Sequence, residues 1–264
     1  MKKDPFFTHF NQSIANYSLP EKFTFPFKYQ PHPLSIVAAE QLQQHLMHQA
    51  EWKHNFGLSD DKQGTIAGKM FGVLLVQNQE KEIGYLAAFS GKLAGGNHHA
   101  MFVPPVFDLL AEDGFLSLGM TELSRMTGEI KELTEGLLLK DDLLKLSTLK
   151  SARKNYSIAL QKEIFEQYHF FNQAGEEKSL NELFKHKKSK TPPSGAGECA
   201  APKLLQYAFQ NHMKPLALAE FWWGLSPKSE TWKHGHYYPC CHEKCEPILA
   251  HMLEGMEIDE NYNS

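Results

Sequence analysis

Apolar and polar residues alternate along this chain with several distinct periods. In HPLSIVAAEQLQQHLMHQAEW, Leu34, Val37, Ala38, Leu42 and Leu46 recur at helical spacing with one apolar face, and His32-Pro33 or Ser35 marks the start. GKMFGVLLVQN and EIGYLAAFSG are β-rich runs separated by QEK, which predicts an antiparallel hairpin. Met120, Leu123, Met126, Ile130, Leu133 and Leu137 return to three- and four-residue spacing, followed less cleanly by Ala152, Tyr156, Ala159, Glu163, Phe165 and Tyr168. Few breakers interrupt either run, so the spacing predicts two long antiparallel helices from about 118 to 172, turning near LLLKDDLLKLS. A short helix at SLNELF follows, and then a basic, proline-rich linker, KHKKSKTPPSG. The last third predicts a helix (APKLLQYAFQNHM), an apolar strand (PLALAEFWWG), a polar loop (SPKSETWKHGHYYP) and a terminal helix (EPILAHMLEGM). Residues 1 to 32, rich in aromatics and prolines, read as a surface wrap, GKLAGGNHHAMFVPPVFDLL as a loop, and EIDENYNS as an unstructured acidic tail.

This pattern makes the fold class mixed α/β (α+β). A body with a β-hairpin and a C-terminal helix-strand-helix unit is interrupted by a long antiparallel helical pair. The expected divisions are 1–118 and 191–264 for the body and 119–190 for the helical hairpin with its linker. At 264 residues the chain can bury a sizeable core, and 42% hydrophobic with 22% charged residues is ordinary for a soluble globular protein. A net charge of −4 argues against a uniformly basic nucleic-acid surface but permits a local basic patch. MKKDPFFTHF has no apolar run, so no signal peptide is expected, and no stretch has the length of a membrane span. Without an export signal, the four cysteines read as free thiols or metal ligands and the setting as cytoplasmic.

Three of those cysteines lie in HGHYYPCCHEKCEP and the fourth in SGAGECAAPKLLQYA. Pro202 and Pro247 suit the first turns of their helices, which puts Cys199 at one helix start and Cys241 and Cys245 at another. The positive end of a helix favours thiolate over thiol. If the two helices pack side by side, Cys199, Cys241 and Cys245 converge. Three thiolates with a histidine, His236 foremost beside His234 and His242, suit Zn²⁺, and three with an open position suit a catalytic zinc. The competing reading is that these cysteines pack as small hydrophobes or stay as free reactive thiols, because Cys241-x3-Cys245 is looser than a CxxC pair.

Other features each have a plain alternative. Gly195 and Gly197 form a turn that could cradle a phosphate, with Lys203 placed for an anion, although no Walker lysine follows and a solvated lysine is the default. His98 and His99 could serve as ligand or base, or simply be exposed; FWW at 221–223 could stack on bases, or pack in a core. The run Lys185 to Lys190 could contact phosphates or be a solvated linker.

At GYLAAFSGKLAG, FVPPVFDLL, SGAGECAAPKLLQYA, LALAEFWWGLSPKSE, HGHYYPCC and KCEPILAHML the chain resembles the N-terminal extension of long RluA-type pseudouridine synthases, over about residues 20 to 253. The resemblance implies a link to RNA pseudouridylation. The family's catalytic His-Arg-Leu-Asp motif is absent here, which implies an accessory module that binds RNA or orients a synthase domain. ECAAPKLL followed by a strand and YPCCHEKC is also similar to the zinc-dependent nucleobase deaminases. Those enzymes hold a glutamate two residues after the first ligand; that position here is Ala201, and Glu198 stands beside Cys199 instead. The alternative to the RNA module is therefore a zinc or thiol enzyme acting on a nucleobase, with Glu198 as proton carrier. A third reading makes helices 119–172 a surface for a protein partner or for self-association.

Overall fold

The computed structural model describes residues 4–58, 66–110, 115–136, 140–187, 191–227 and 231–259. In chain order the elements are α1 (Pro33–His48), β1 (Lys69–Gln77), β2 (Ile83–Phe89), α2 (Phe115–Glu135), α3 (Lys140–Glu166), β3 (His169–Phe171), β4 (Glu177–Ser179), α4 (Leu180–Phe184), α5 (Ala200–Gln210), β5 (Lys214–Trp223), β6 (Tyr237–Tyr238) and α6 (Glu246–Met252). The fold is mixed α+β. The chain forms two compact units, one of residues 1–106 with 169–264 and the other of residues 107–168. The helical unit thus closes at 168 rather than 190, because β3, β4 and α4 belong to the larger unit.

In the larger unit, four strands run in the order β2-β1-β5-β6, each antiparallel to its neighbour. Both faces are covered, so β1 and β5 are buried almost throughout instead of alternating. On one face, Phe71, Val73, Tyr85, Ala87, Ala219, Phe221 and Trp223 pack against Ala38, Ala39, Leu42 and Leu46 of α1. The intervening residues point to the other face, where α5 lies. There Gly72 has no side chain, and a methyl group on it would sit 3.0 Å from the Cβ of Ala200 and 3.1 Å from Leu204 Cδ1. The glycine therefore lets the first turn of α5 press directly on β1.

The N-terminal wrap is an integral part of this unit. Thr8 bridges to Tyr85, and Phe7 and Phe23 are buried. Phe23 also pairs with Ile258, so the segment expected as an unstructured tail is ordered at least to Asp259, whose N–H donates to the Phe23 carbonyl at 2.8 Å. The expected loop 185–195 falls partly outside the described residues, at 188–190.

In the helical unit α2 and α3 form the expected pair of long helices; of the expected turn segment, 140–147 belong to α3 and 137–139 lie outside the described residues. A Cβ on Gly119 would come within 2.7 Å of the Leu160 side chain, so that glycine permits the close crossing. Arg153 donates to the Thr127 hydroxyl at 2.8 Å. Leu118, Met120, Leu143, Leu144 and Ile158 of this unit remain exposed. No described helix is long and apolar enough to cross a membrane.

Candidate metal centre

Cys199 is the N-cap of α5 in an extended conformation, and its side chain makes no capping hydrogen bond. Cys245 is the N-cap of α6, and its N–H donates to the Cys241 carbonyl at 3.2 Å, which folds the preceding turn back on itself. These two starts meet. The sulfur atoms of Cys199, Cys241 and Cys245 all lie within 4.8 Å of one another, and those of Cys241 and Cys245 are 3.5 Å apart. A group of this kind can hold a metal ion.

Without metal the three thiols share protons. Cys241 is held down to about 2 because Cys199 first and Cys245 second donate their S–H groups to its sulfur. Cys199 is correspondingly raised by its bond to Cys241, and Cys245 by its bonds to Cys199 and Cys241 together with burial. The shared hydrogen bonds thus favour the thiolate at Cys241 and the thiol at its two partners, and a metal that takes all three must displace their protons.

None of the expected histidines joins the group. His236 is exposed in the turn before β6, where its carbonyl accepts from Trp222 N–H at 3.0 Å. His234 Nδ1 accepts from Gly224 N–H at 3.0 Å, and its ring lies against Trp223. His242 stacks on Phe27 with ring centroids 4.9 Å apart. Strand β6, which follows His236 directly, is held in register on β5.

The acidic neighbours also differ from expectation. Glu198 forms an ion pair with Lys203 at 3.1 Å. The Lys203 ammonium is 2% exposed and donates as well to the carbonyls of Phe89 and Gly91, both at 3.3 Å. It ties the end of β2 to α5 and has its anion in Glu198. Gly195 and Gly197 adopt positive φ, 74° and 91°, in the turn before Cys199. A Cβ on Gly195 would lie 3.4 Å from Lys244 Nζ, so this turn runs beside the cysteine loop. Lys187, from the basic run, pairs with Glu246 at 2.7 Å.

The residue that sequence reasoning passes over is Glu220. It lies in β5 at 4% exposure, opposite Gly72 on one side and Tyr238 on the other. Its Oε1 accepts from Ala201 N–H at 3.1 Å, in the first turn after Cys199. Cys240, buried and outside the thiol trio, also hydrogen-bonds to it. Burial pushes the Glu220 carboxyl up to about 7, against the lowering pull of those two bonds. Its backbone N–H donates to the Tyr29 hydroxyl at 3.0 Å, which in turn donates to the Tyr238 carbonyl at 3.0 Å. The only sequence signal was a single acid inside the apolar run PLALAEFWW.

His99 Nε2 bonds the Leu93 carbonyl at 2.7 Å. Phe221 and Trp223 of the FWW run are core, while Trp222 stacks on Trp232 at 5.9 Å. No family model matches the chain, and no curated protein or solved structure matches it.

Proposed function

We propose that this chain is a zinc protein whose Cys199, Cys241 and Cys245 centre serves hydrolytic chemistry on a nucleobase. The observation that carries the proposal is the convergence of three sulfurs within 4.8 Å from two segments more than forty residues apart in sequence. Sulfurs each about 2.3 Å from a tetrahedral zinc lie roughly 3.8 Å apart. The 3.5 Å contact of Cys241 and Cys245 is already close to that spacing. Three sulfur donors with no histidine among them leave a fourth position for water, which is the pattern of a catalytic rather than a closed structural site. When bound in such a site, zinc acts as a Lewis acid that makes a nucleophile of water near neutral pH.

The six sequence blocks that resemble the extension of RluA-type synthases support RNA as the setting, with the chain holding RNA or orienting a synthase domain. The two parts are compatible: an RNA-associated module with a zinc centre. The test is elemental analysis of the purified chain beside Cys241→Ser and Cys245→Ser. About one zinc per chain, lost in both variants, is expected. Four freely titratable thiols with no zinc refute the metal reading. RNA binding by the zinc-loaded chain, measured by electrophoretic mobility shift, checks the setting.

A further inference from the structure

From the spacing of the sulfurs, we infer that Cys241 and Cys245 are a reversible two-electron redox pair: a hydroperoxide joins them in a disulfide, and that bond takes two of the three donors from the metal. The disulfide needs only the metal-free chain. Its consequence for metal rests on the zinc reading above and gives that centre a means of regulation.

The pair is built on one turn of backbone. Cys245 N–H donates to the Cys241 carbonyl at 3.2 Å, a bond between residues four apart as in an α-turn. Across such a turn the Cα atoms stand roughly 6 Å apart, inside the range of about 4.4–6.8 Å that disulfides span. The two sulfurs already touch at 3.5 Å. A bond of about 2.05 Å asks them to close by roughly 1.5 Å. Cβ atoms one turn apart are separated by roughly 5–6 Å and a disulfide draws them to about 4 Å, so the turn has to tighten. His242 and Glu243, which lie on it, are exposed, and the movement is taken outside the core.

The other two thiols are placed differently. Cys199 is as accessible as Cys241, but it comes from the separate segment that starts α5, and no common turn ties it to either partner. Cys240 is buried, hydrogen-bonded to Glu220 and outside the trio. Within the pair the roles follow from exposure. Cys241 is half-buried and Cys245 is 1% exposed, so an oxidant from solvent meets Cys241 and finds Cys245 behind it as the resolving thiol.

In the balanced reaction, the Cys241 sulfur attacks one peroxide oxygen, the O–O bond breaks, and the thiol proton leaves with the displaced oxygen as water or alcohol. Cys241 is then a sulfenic acid. The Cys245 sulfur attacks that sulfur, the S–O bond breaks, and the Cys245 proton leaves with the hydroxyl as water. Two thiols have given two electrons to the peroxide and become a disulfide. A dithiol reverses the step by exchange, returning two electrons and two protons and ending as its own disulfide. Zinc needs the sulfurs as thiolates, so the crosslinked chain offers it Cys199 alone.

The test treats the full chain with hydrogen peroxide, metal-free and zinc-loaded, as wild type, Cys240→Ala and Cys245→Ser. Thiols are titrated, zinc released is read with a chromophoric chelator, and crosslinks are mapped by mass spectrometry. Trypsin cuts after Lys244, so the bond holds together two peptides that otherwise separate. In metal-free wild type the four free thiols are expected to fall to two, with the loss of two hydrogen atoms, and dithiothreitol restores all four. Cys240→Ala keeps the crosslink. Cys245→Ser loses it and holds Cys241 as a sulfenic acid that dimedone traps. In the zinc-loaded chain one zinc is released for each crosslink and is taken up again after reduction. A crosslink through Cys199 or Cys240, or peroxide that leaves four thiols or gives only sulfinic acid, overturns the inference and leaves the zinc reading standing. Zinc retained by the crosslinked chain overturns it as well. A wild type that takes up no zinc removes the zinc reading and the consequence for metal, while the crosslink in the same metal-free chain still decides the pair.

Discussion

The contact between α5 and β1 can be tested at one atom. Replacing Gly72 with alanine places a methyl 3.0 Å from Ala200 Cβ and 3.1 Å from Leu204 Cδ1. Carbon atoms pack best near 3.5–4 Å, so several tenths of an ångström must be found. Leu204 can turn its side chain, at about 0.5–1.5 kcal/mol for an off-rotamer angle. Ala200 cannot, because its Cβ is fixed to the backbone; the helix start itself must lift. An added methyl in a packed core costs about 1–3 kcal/mol. The alanine recovers roughly 0.5–1 kcal/mol of backbone entropy that glycine loses in a strand. The net loss is on the order of 1–2 kcal/mol, a fall in melting temperature of about 3–6 °C for a unit of this size. Because Ala200 directly follows Cys199, zinc affinity is expected to weaken as well. Thermal unfolding by circular dichroism and competition with a chromophoric chelator read the two effects. A Gly72→Ala chain as stable as wild type, with unchanged zinc affinity, would refute the close seating of α5 on β1.

Three further outcomes follow from the same coordinates. Gly128, on the exposed side of α2 with nothing within 4 Å of an added Cβ, should stabilise the helical unit by about 0.5–1 kcal/mol when changed to alanine, read as a higher melting temperature; a lower one counts against its helical placement. Lys203→Met strips the buried pair of its cation and takes the donor from two carbonyls, so a loss of about 3–5 kcal/mol in urea unfolding is expected, and under 1 kcal/mol would contradict the buried pair. Glu220 sits at about 7 when folded against 4.5 otherwise, so the folded chain holds that proton more tightly; the stabilisation is complete below pH 4.5 and is lost as pH rises to about 7. Metal-free wild type should therefore lose on the order of 3 kcal/mol over that interval relative to Glu220→Gln, and parallel stability curves would sink the assignment.

Which parts of the molecule could be read from the sequence follows from how local their causes are. The helix at 33–48, the hairpin and α5 each carry their own period, and β5 its apolar run. The start of α6 is marked by Pro247. β3 and β4 are three residues each, too short to show a period of two, and Phe165 and Tyr168 lead straight into them at helical spacing. The periodicity therefore ran past 168, where the chain turns back into the larger unit. The grouping of the thiols was legible because Pro202 and Pro247 marked two helix starts. The fourth-ligand choice was not, since only four residues lie between His236 and Cys241 in sequence, yet two of them form strand β6 and the histidine does not join the group. Glu198 and Glu220 differ in the same way. Adjacency to Cys199 favoured the first, and only the register of β5 against β1 brings in the second.

That register also explains why Glu220 is costly for folding. A buried carboxyl with no cation beside it among the described residues resists ionisation, and the chain holds it against an α5 start that would accept other partners. An amide there could take the Ala201 N–H without the charge, and an apolar side chain would suit the rest of the strand. Glu220→Gln should then give a metal-free chain more stable than wild type at pH 7, read by urea unfolding, and equal stability would contradict the buried, uncompensated carboxyl.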